Sequence, residues 1–520
     1  MPIRLDIDIE LFSLPNAPPP DLAALQTAVE TGLADFWPAL GLPASPEVHI
    51  RMRPEPIDLF DFTLRINGVW MSVPLYHPAA PVAPLAFRIQ HAIFTHRTQL
   101  ITDEQLRLLR AQWIDRRQTA LAWNSAPLPV WRALAALLLE HGFSLNRLEN
   151  CFECWMPGKS PEAAFEMLIS NPETLRMGLM VHPDLAAAQR EIDPGWQTRF
   201  PEYYEETYLN WGVITPQVEV EIREDMPVEH FRIRFNDLWL PVLPGLGTNQ
   251  VLYNRNDADS NYFVPTEGAF FATTPGNGQE ALPFLSGPWA YVLDWVRYWT
   301  AQCAGWFVNS DITDALLDNL EENNRSLVIM IREQWPVHRL CGLLRYLLRE
   351  NTSIRNLSEI LDVLLRIDGP LLVDDTQNLL YFPPVSRVVT IPPGVAPEPY
   401  RTDQLAGQVR AGLKYPVAFP HMRGGVLPCY NLAPPLLRDL RDGFFRHAVP
   451  FPGTAFYHLL KTLNETACLD SPKPVLIVPT GIRAAAAEAL LPYFPQMTVL
   501  GNEELPPFFV PQIKAIINEQ

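Results

Sequence analysis

The first residues, MPIRLDIDIELFSL, alternate apolar and polar side chains, the period of a strand with one face in a core. The same alternation returns in residues 46–73 and again in 216–242. These two stretches correspond position by position. Phe62, Leu64, Ile66, Asn67 and Trp70 stand where Phe231, Ile233, Phe235, Asn236 and Trp239 stand in the other. A helical period follows each, at about 87–112 and 289–323. Next, PVWRALAALLLEHGFSLNRLENCF (129–152) parallels PVHRLCGLLRYLLRENTSIRNLSEIL (336–361). Each reads as an apolar helix, a polar break and a Ser-led second helix. Ser144 matches Ser353, Leu145 matches Ile354 and Leu148 matches Leu357. A serine suits that place because its hydroxyl accepts from the free N–H groups of a helix start. Gly142 and Asn351 supply the turn.

Both matches occur in the same order, the mark of a tandem duplication at about 20–190 and 200–370. The fold class is therefore α+β with several subdomains: two copies of a strand pair plus helical hairpin, then a small C-terminal α/β part. The ranges are 1–195 for a divergent, truncated first copy and 196–380 for the second. The second copy carries a loop insertion at 245–287 and its hairpin at 336–365. A Pro-rich connector follows at 381–400, and a C-terminal α/β subdomain at 401–520. There, VLIVP, IRAAAAEALLPYF and MTVL read as strand, helix and strand, a βαβ unit with a right-handed crossover. Duplication predicts that the copies superpose and that Trp70 and Trp239 are both largely buried.

The acidic balance narrows the partners. Forty Lys and Arg against 58 Asp and Glu leave a formal charge of −18, with no basic run, so nucleic acid is a poor partner. No window has the ~18 uninterrupted apolar residues of a membrane span, which predicts no direct insertion. The amino-terminal stretch lacks the apolar core of a signal peptide. Six cysteines make no disulfide framework, and the compartment read from them is a reducing cytosol. Cys151 and Cys154 form a lone CxxC in a helical stretch and read as core thiols, not a metal site.

Several motifs suggest chemistry and fail on detail. The GKS at 158–160 has Glu153 where a phosphate loop needs glycine, and it follows a helix. The stretch 257–268 starts like a calcium loop but has Tyr262 at the glycine position and Gly268 at the bidentate Glu position. His91 and His96 are five apart, whereas helical metal pairs prefer four. PGLGTN (244–249) is a turn with no dinucleotide fingerprint. These residues predict no enzyme, no cofactor, no metal and no catalytic set.

Three C-terminal segments resemble the cytoplasmic domain of the FHIPEP family, the export-gate proteins (FlhA and SctV types) of flagellar and virulence type III secretion. LLRENTSIRNLSEILDVL (347–364) is similar to the family's LLxExVSIRDLxxILExL. LAGQVRAGLKYP (405–416) is similar to its next helix. KPVLIVPTGIRAAAAEALLPYFPQMTVLGNEELPP (473–507) is similar to its last segment, with Arg483, Pro495 and Glu504 in matching places. The resemblance covers about 200–520. It lacks the family's membrane domain, and the N-terminal copy departs from the usual architecture. It implies a non-catalytic, cytoplasmic protein-binding scaffold, peripheral to the inner membrane through a secretion apparatus. The partners it implies are type III chaperones and substrates or the membrane export gate, with a homo-oligomer as a further one. Arg355 and Asn356 fall in the motif; they read either as an exposed arginine and its neighbour after a serine cap or, as the resemblance implies, as helping neighbouring protomers pack into a ring. Tyr262 and Phe263, aromatics amid small polar residues of the insertion, are candidates for a protein-binding patch. The alternative readings are a degenerate structural spacer and an enzyme reusing the terminal α/β unit, with a pocket at Thr480 and Glu504.

Overall fold

The computed structural model describes residues 6–12, 20–42, 46–53, 62–73, 85–116, 126–156, 160–170, 174–192, 200–247, 250–254, 262–264, 268–273, 288–367, 379–382, 387–390, 402–422, 424–438, 454–467, 474–494 and 497–517. The N-terminal sheet has the order β2-β1-β3-β4, from β1 (Asp6–Phe12), β2 (Glu47–Arg53), β3 (Phe62–Ile66) and β4 (Val69–Met71). β1 lies parallel to β2 and antiparallel to β3. The helix Leu22–Leu33 makes the crossover that a parallel pair requires, capped by the Asp21 side chain on the N–H groups of Ala23 and Ala24.

A second sheet repeats this plan. Its order is β6-β5-β7-β8, from β5 (Met177–Val181), β6 (Val218–Ile222), β7 (His230–Phe235) and β8 (Leu238–Trp239), with β9 (Leu243–Pro244) also on β7. β5 is parallel to β6 and antiparallel to β7. The registers agree: Ile7 faces Val48 and Ile66, and Met177 faces Val218 and Phe235. β5, which the sequence reading leaves inside 1–195, is the central strand of this second sheet.

Each sheet is followed by the same helical series. A first helix (Leu85–Thr95; Pro288–Gln302) leads through a 3-10 turn into a second (Asp103–Arg116; Ser310–Gln334). Thr102 and Asn309 cap these second helices. Two more helices make the hairpin (Leu128–Glu140 with Leu148–Cys154; Val337–Arg349 with Leu357–Arg366). A further helix packs on each hairpin, Pro161–Ile169 on the first and Thr402–Leu413 on the second. We call sheet plus helices the first and second unit.

The two serines sit one step earlier than the sequence predicts. Ser144 accepts from Asn146 N–H to cap a 3-10 turn, and its helix starts only at Leu148. Ser353 accepts from Arg355 N–H, and its helix starts at Leu357. Trp70 and Trp239 correct the burial expectation, since both are half-buried. Each lies on the short last strand of its hairpin, across from an arginine whose guanidinium covers the ring, Arg65 at 3.6 Å and Arg234 at 5.1 Å.

The insertion forms a separate three-stranded sheet of β10 (Val251–Asn254), β11 (Tyr262–Val264) and β12 (Gly268–Thr273). At the start of the Pro-rich connector, β13 (Leu379–Phe382) pairs with β14 (Arg387–Thr390), and 383–386 and 391–400 lie outside the described residues. The C-terminal sheet is all parallel, in the order β17-β16-β15-β18. It comprises β15 (Val426–Leu432), β16 (Val475–Val478), β17 (Thr498–Gly501) and β18 (Val510–Ile517). β18 carries no sequence signal of burial, since most of its side chains are exposed. Among the described residues, no helix is long and apolar enough to cross a membrane.

Candidate protein-binding cleft

The helix Phe200–Trp211 must stop abruptly to meet the hairpin of its own unit. Gly212 stops it with φ +71, donating its N–H back to Tyr208 O at 2.8 Å. The chain of residues 354–355 presses so close there that a Cβ on Gly212 would collide with the Arg355 backbone. Ile354 N–H donates to Trp211 O at 3.0 Å, and the Arg355 guanidinium donates to Leu209 O at 3.3 Å. Beside this contact opens a cleft of about 600 Å³, lined by Tyr208, Ile214, Leu316, Leu320, Arg355 and Asn356 among others. Its rim is wet: Tyr208 and Ile214 are 45% and 46% exposed, and Arg355 and Asn356 are exposed. Its far wall is the first part of Ser310–Gln334, which breaks at Asn324 (φ −135°, ψ 51°). An apolar floor with one cation, one carboxylate (Glu205) and several amides suits a peptide segment.

The first unit has the same joint. Gly41, with φ +72, ends the helix Phe36–Leu40, and a Cβ there would meet Asn146. Asn146 and Arg147 thus hold the places of Arg355 and Asn356.

The other candidates fall elsewhere. Tyr262 and Phe263 lie on β11, facing Phe270 and Ala269 of β12, and their side chains are outside the described residues. The GKS glycine and lysine and most of 257–268 are also outside them, while Ser160 caps Pro161–Ile169. Cys151 is buried, its thiol pushed up to about 12 by burial. His91 stands against the Trp299 ring at 4.9 Å. Asp6, Glu47 and His49 gather at the sheet edge, with His49 Nε2 3.9 Å from Asp6 and 3.8 Å from Glu47.

Thr480 and Glu504 do not form a ligand site. The Thr480 hydroxyl accepts from Glu503 N–H at 3.2 Å. Glu504 is fully buried and accepts from Arg410 Nε (2.9 Å), Arg410 Nη2 (3.1 Å) and Gly501 N–H (3.1 Å). Arg483 adds contacts to Glu504 at 3.3 Å and Glu350 at 2.8 Å, and Arg410 also donates to the Thr352 hydroxyl. Burial alone would lower the Arg410 pKa, but the Glu504 and Glu350 carboxylates outweigh it and raise it. This cluster clamps the C-terminal sheet to the second hairpin. Sequence reasoning missed it, although Arg410 stands on the apolar stripe of its helix, beside buried Ala406, Val409 and Leu413.

No family model matches the chain, and no curated protein does. Solved structures do. The Chlamydia pneumoniae CdsV protein matches with a TM-score of 0.51 at 17% identity, over 66% of this chain and 98% of that one. The complex of Chlamydia pneumoniae CdsV and CdsO gives 0.52 at 18% identity, with the same coverage. The nonameric SctV-C of EPEC gives 0.50 at 14% identity, over 66% of this chain and 98% of that one. Across 66% of its length, then, this chain has the fold of the CdsV and SctV-C chains, the family type that its C-terminal segments resemble.

Proposed function

We propose that the chain is a non-catalytic scaffold of a bacterial type III secretion apparatus, working on the cytoplasmic side and binding other proteins. The observation that carries this is the fold match over almost the whole length of the CdsV and SctV-C chains. The residue-level resemblance in 347–364 and 473–507 supports it. CdsV was solved with CdsO and SctV-C as a nonamer, so both a protein partner and self-packing fit the reading. The enzyme alternative loses its main residue, because every short contact of Glu504 is structural.

Tandem duplication belongs to the same reading. It is supported by equal strand order, equal pairing sense, and asparagines in left-handed conformation at matching turns, Asn67 (φ 52) and Asn236 (φ 55). The boundary falls between Ser170 and β5. The second unit plus the C-terminal sheet then amounts to the share of chain that the solved structures match.

The insertion, with Tyr262 and Phe263, is the proposed patch for chaperones or the membrane gate. Pull-down of type III chaperones by the full chain tests this. The double variant Tyr262→Ala/Phe263→Ala should lose capture and keep its melting temperature. Capture unchanged with a lower melting temperature would assign those rings to packing.

A further inference from the structure

β18 is an edge of the C-terminal sheet, paired with β15 on one side and with no described strand on the other. The opposite edge, β17, is four residues long and largely buried, as sheet edges often are. β18 is eight residues long, and every side chain from Val510 to Lys514 is exposed. Val510 and Ile516 are 61% and 56% exposed, and Ile513 is exposed with them. Just before the strand, Phe508 is 69% exposed and lies 6.3 Å from the Tyr415 ring. Tyr415 stacks on Phe419 at 4.8 Å, and both are exposed. A long edge with wet apolar side chains is a template for another strand.

Three features restrict what can pair there. Pro511 has no N–H to donate. A bulge puts Lys514 out of register, since Ile513 faces Cys429 and Ala515 faces Tyr430. Lys514 is the one charge on the strand, and Lys414 stands beside Tyr415. Neither lysine has an ion-pair partner among the described residues. This part of the chain also departs from the acidic balance. Residues 401–520 hold 11 Lys and Arg against 9 Asp and Glu, whereas 1–400 hold 29 against 49. A second copy of β18 would bring another lysine and no carboxylate. A helix would bring a backbone already paired with itself.

We propose that β18 is a docking edge for an extended segment of another protein, in which apolar and acidic side chains alternate. The segment adds a fifth strand to the C-terminal sheet, and its ladder hydrogen bonds give the affinity. Its apolar side chains lie beside Val510, Ile513 and Ile516. Its carboxylates answer Lys514 and Lys414. This rests on the reading of the chain as a protein-binding scaffold and gives it a surface apart from the insertion.

Fluorescence anisotropy on the full chain tests it with three labelled eight-residue peptides. They are (Glu-Ile)4, (Lys-Ile)4 and a fully N-methylated (Glu-Ile)4. The first should bind, and more weakly at high salt. The second should not bind, because its charges repel the lysines. The third should not bind either, because it keeps every side chain but has no N–H for the ladder. Lys514→Glu, at an exposed site, should keep the melting temperature. It should weaken (Glu-Ile)4 about fivefold and admit (Lys-Ile)4, with Lys514→Gln between the two. No binding of (Glu-Ile)4, equal binding of either other peptide, or an unchanged preference in Lys514→Glu would overturn the proposal. So would a dimer in sedimentation velocity that Ile513→Lys dissolves, which would give the edge to a second copy. Chaperone capture reads the insertion, so its outcome is separate.

Discussion

Arg410, Arg483, Glu350 and Glu504 place two positive and two negative charges where almost no water reaches, with Arg410 and Arg483 2% exposed and Glu504 fully buried. Removing one member leaves an uncompensated buried charge, which costs about 3–5 kcal/mol. Glu504→Ala should therefore unfold the C-terminal sheet at much lower urea. Arg410→Met/Glu504→Leu, which removes both signs, should cost clearly less. Equal losses in a urea titration would mean that packing volume, not charge, holds this clamp.

At the scale of elements, the matching β-turns carry the same asparagine in different surroundings. Asn236, itself buried, holds φ 55, accepts from Arg176 N–H at 3.0 Å in a partly buried bond and donates to His141 O in a buried one. Asn67 has a similar φ but lies exposed, with one side-chain bond to Gln99 O at 3.2 Å. Asn236→Ala leaves the buried His141 carbonyl without this partner, a cost of about 1–3 kcal/mol, and also frees the partly buried Arg176 N–H. Asn67→Ala exposes its groups to water and should cost much less. Similar melting temperatures for the two variants would contradict this account. The asparagine was legible in the sequence as a repeated letter. Its partners were not, because His141 lies 95 residues away in the other unit.

For the whole molecule, the junction between units sets the acid limit. His141 lies in it, with its carbonyl on Asn236 and its ring 4.8 Å from Phe165. Burial, aided by Arg345, lowers its pKa from 6.5 to about 3. The unfolded chain takes up a proton below 6.5 that the folded chain refuses until about 3. Its contribution is thus complete above pH 6.5 and is lost as pH falls toward 3. Glu10, held below its usual 4.5 despite burial by Arg51 and its neighbours, adds only at more acid pH. The urea midpoint should begin to fall below pH 6.5, and His141→Gln should make that first part of the curve shallower without flattening it, because His91, lowered to about 4 by burial, and His96, also lowered by burial, lose stability in the same direction. A midpoint flat down to 4.5 in wild type would remove His141 from the account.

The sequence by itself marked the amphipathic helices and the alternating strands, because a half-buried strand and an amphipathic helix each print a local period, but it did not mark the exposed β18. It also determined the family likeness of the C-terminal segments. It marked Arg355 and Asn356, because they fall in the segment that resembles the family's hairpin motif. Only the tertiary structure decided that these two residues border a cleft, since its other walls come from helices about 40 and 150 residues away. It also decided that Glu504 sits in a buried charge cluster, and that the Asp237 turn packs on the first unit's hairpin loop. Burial and charge pairing depend on what the rest of the chain brings alongside, and no local pattern of residues records that neighbour.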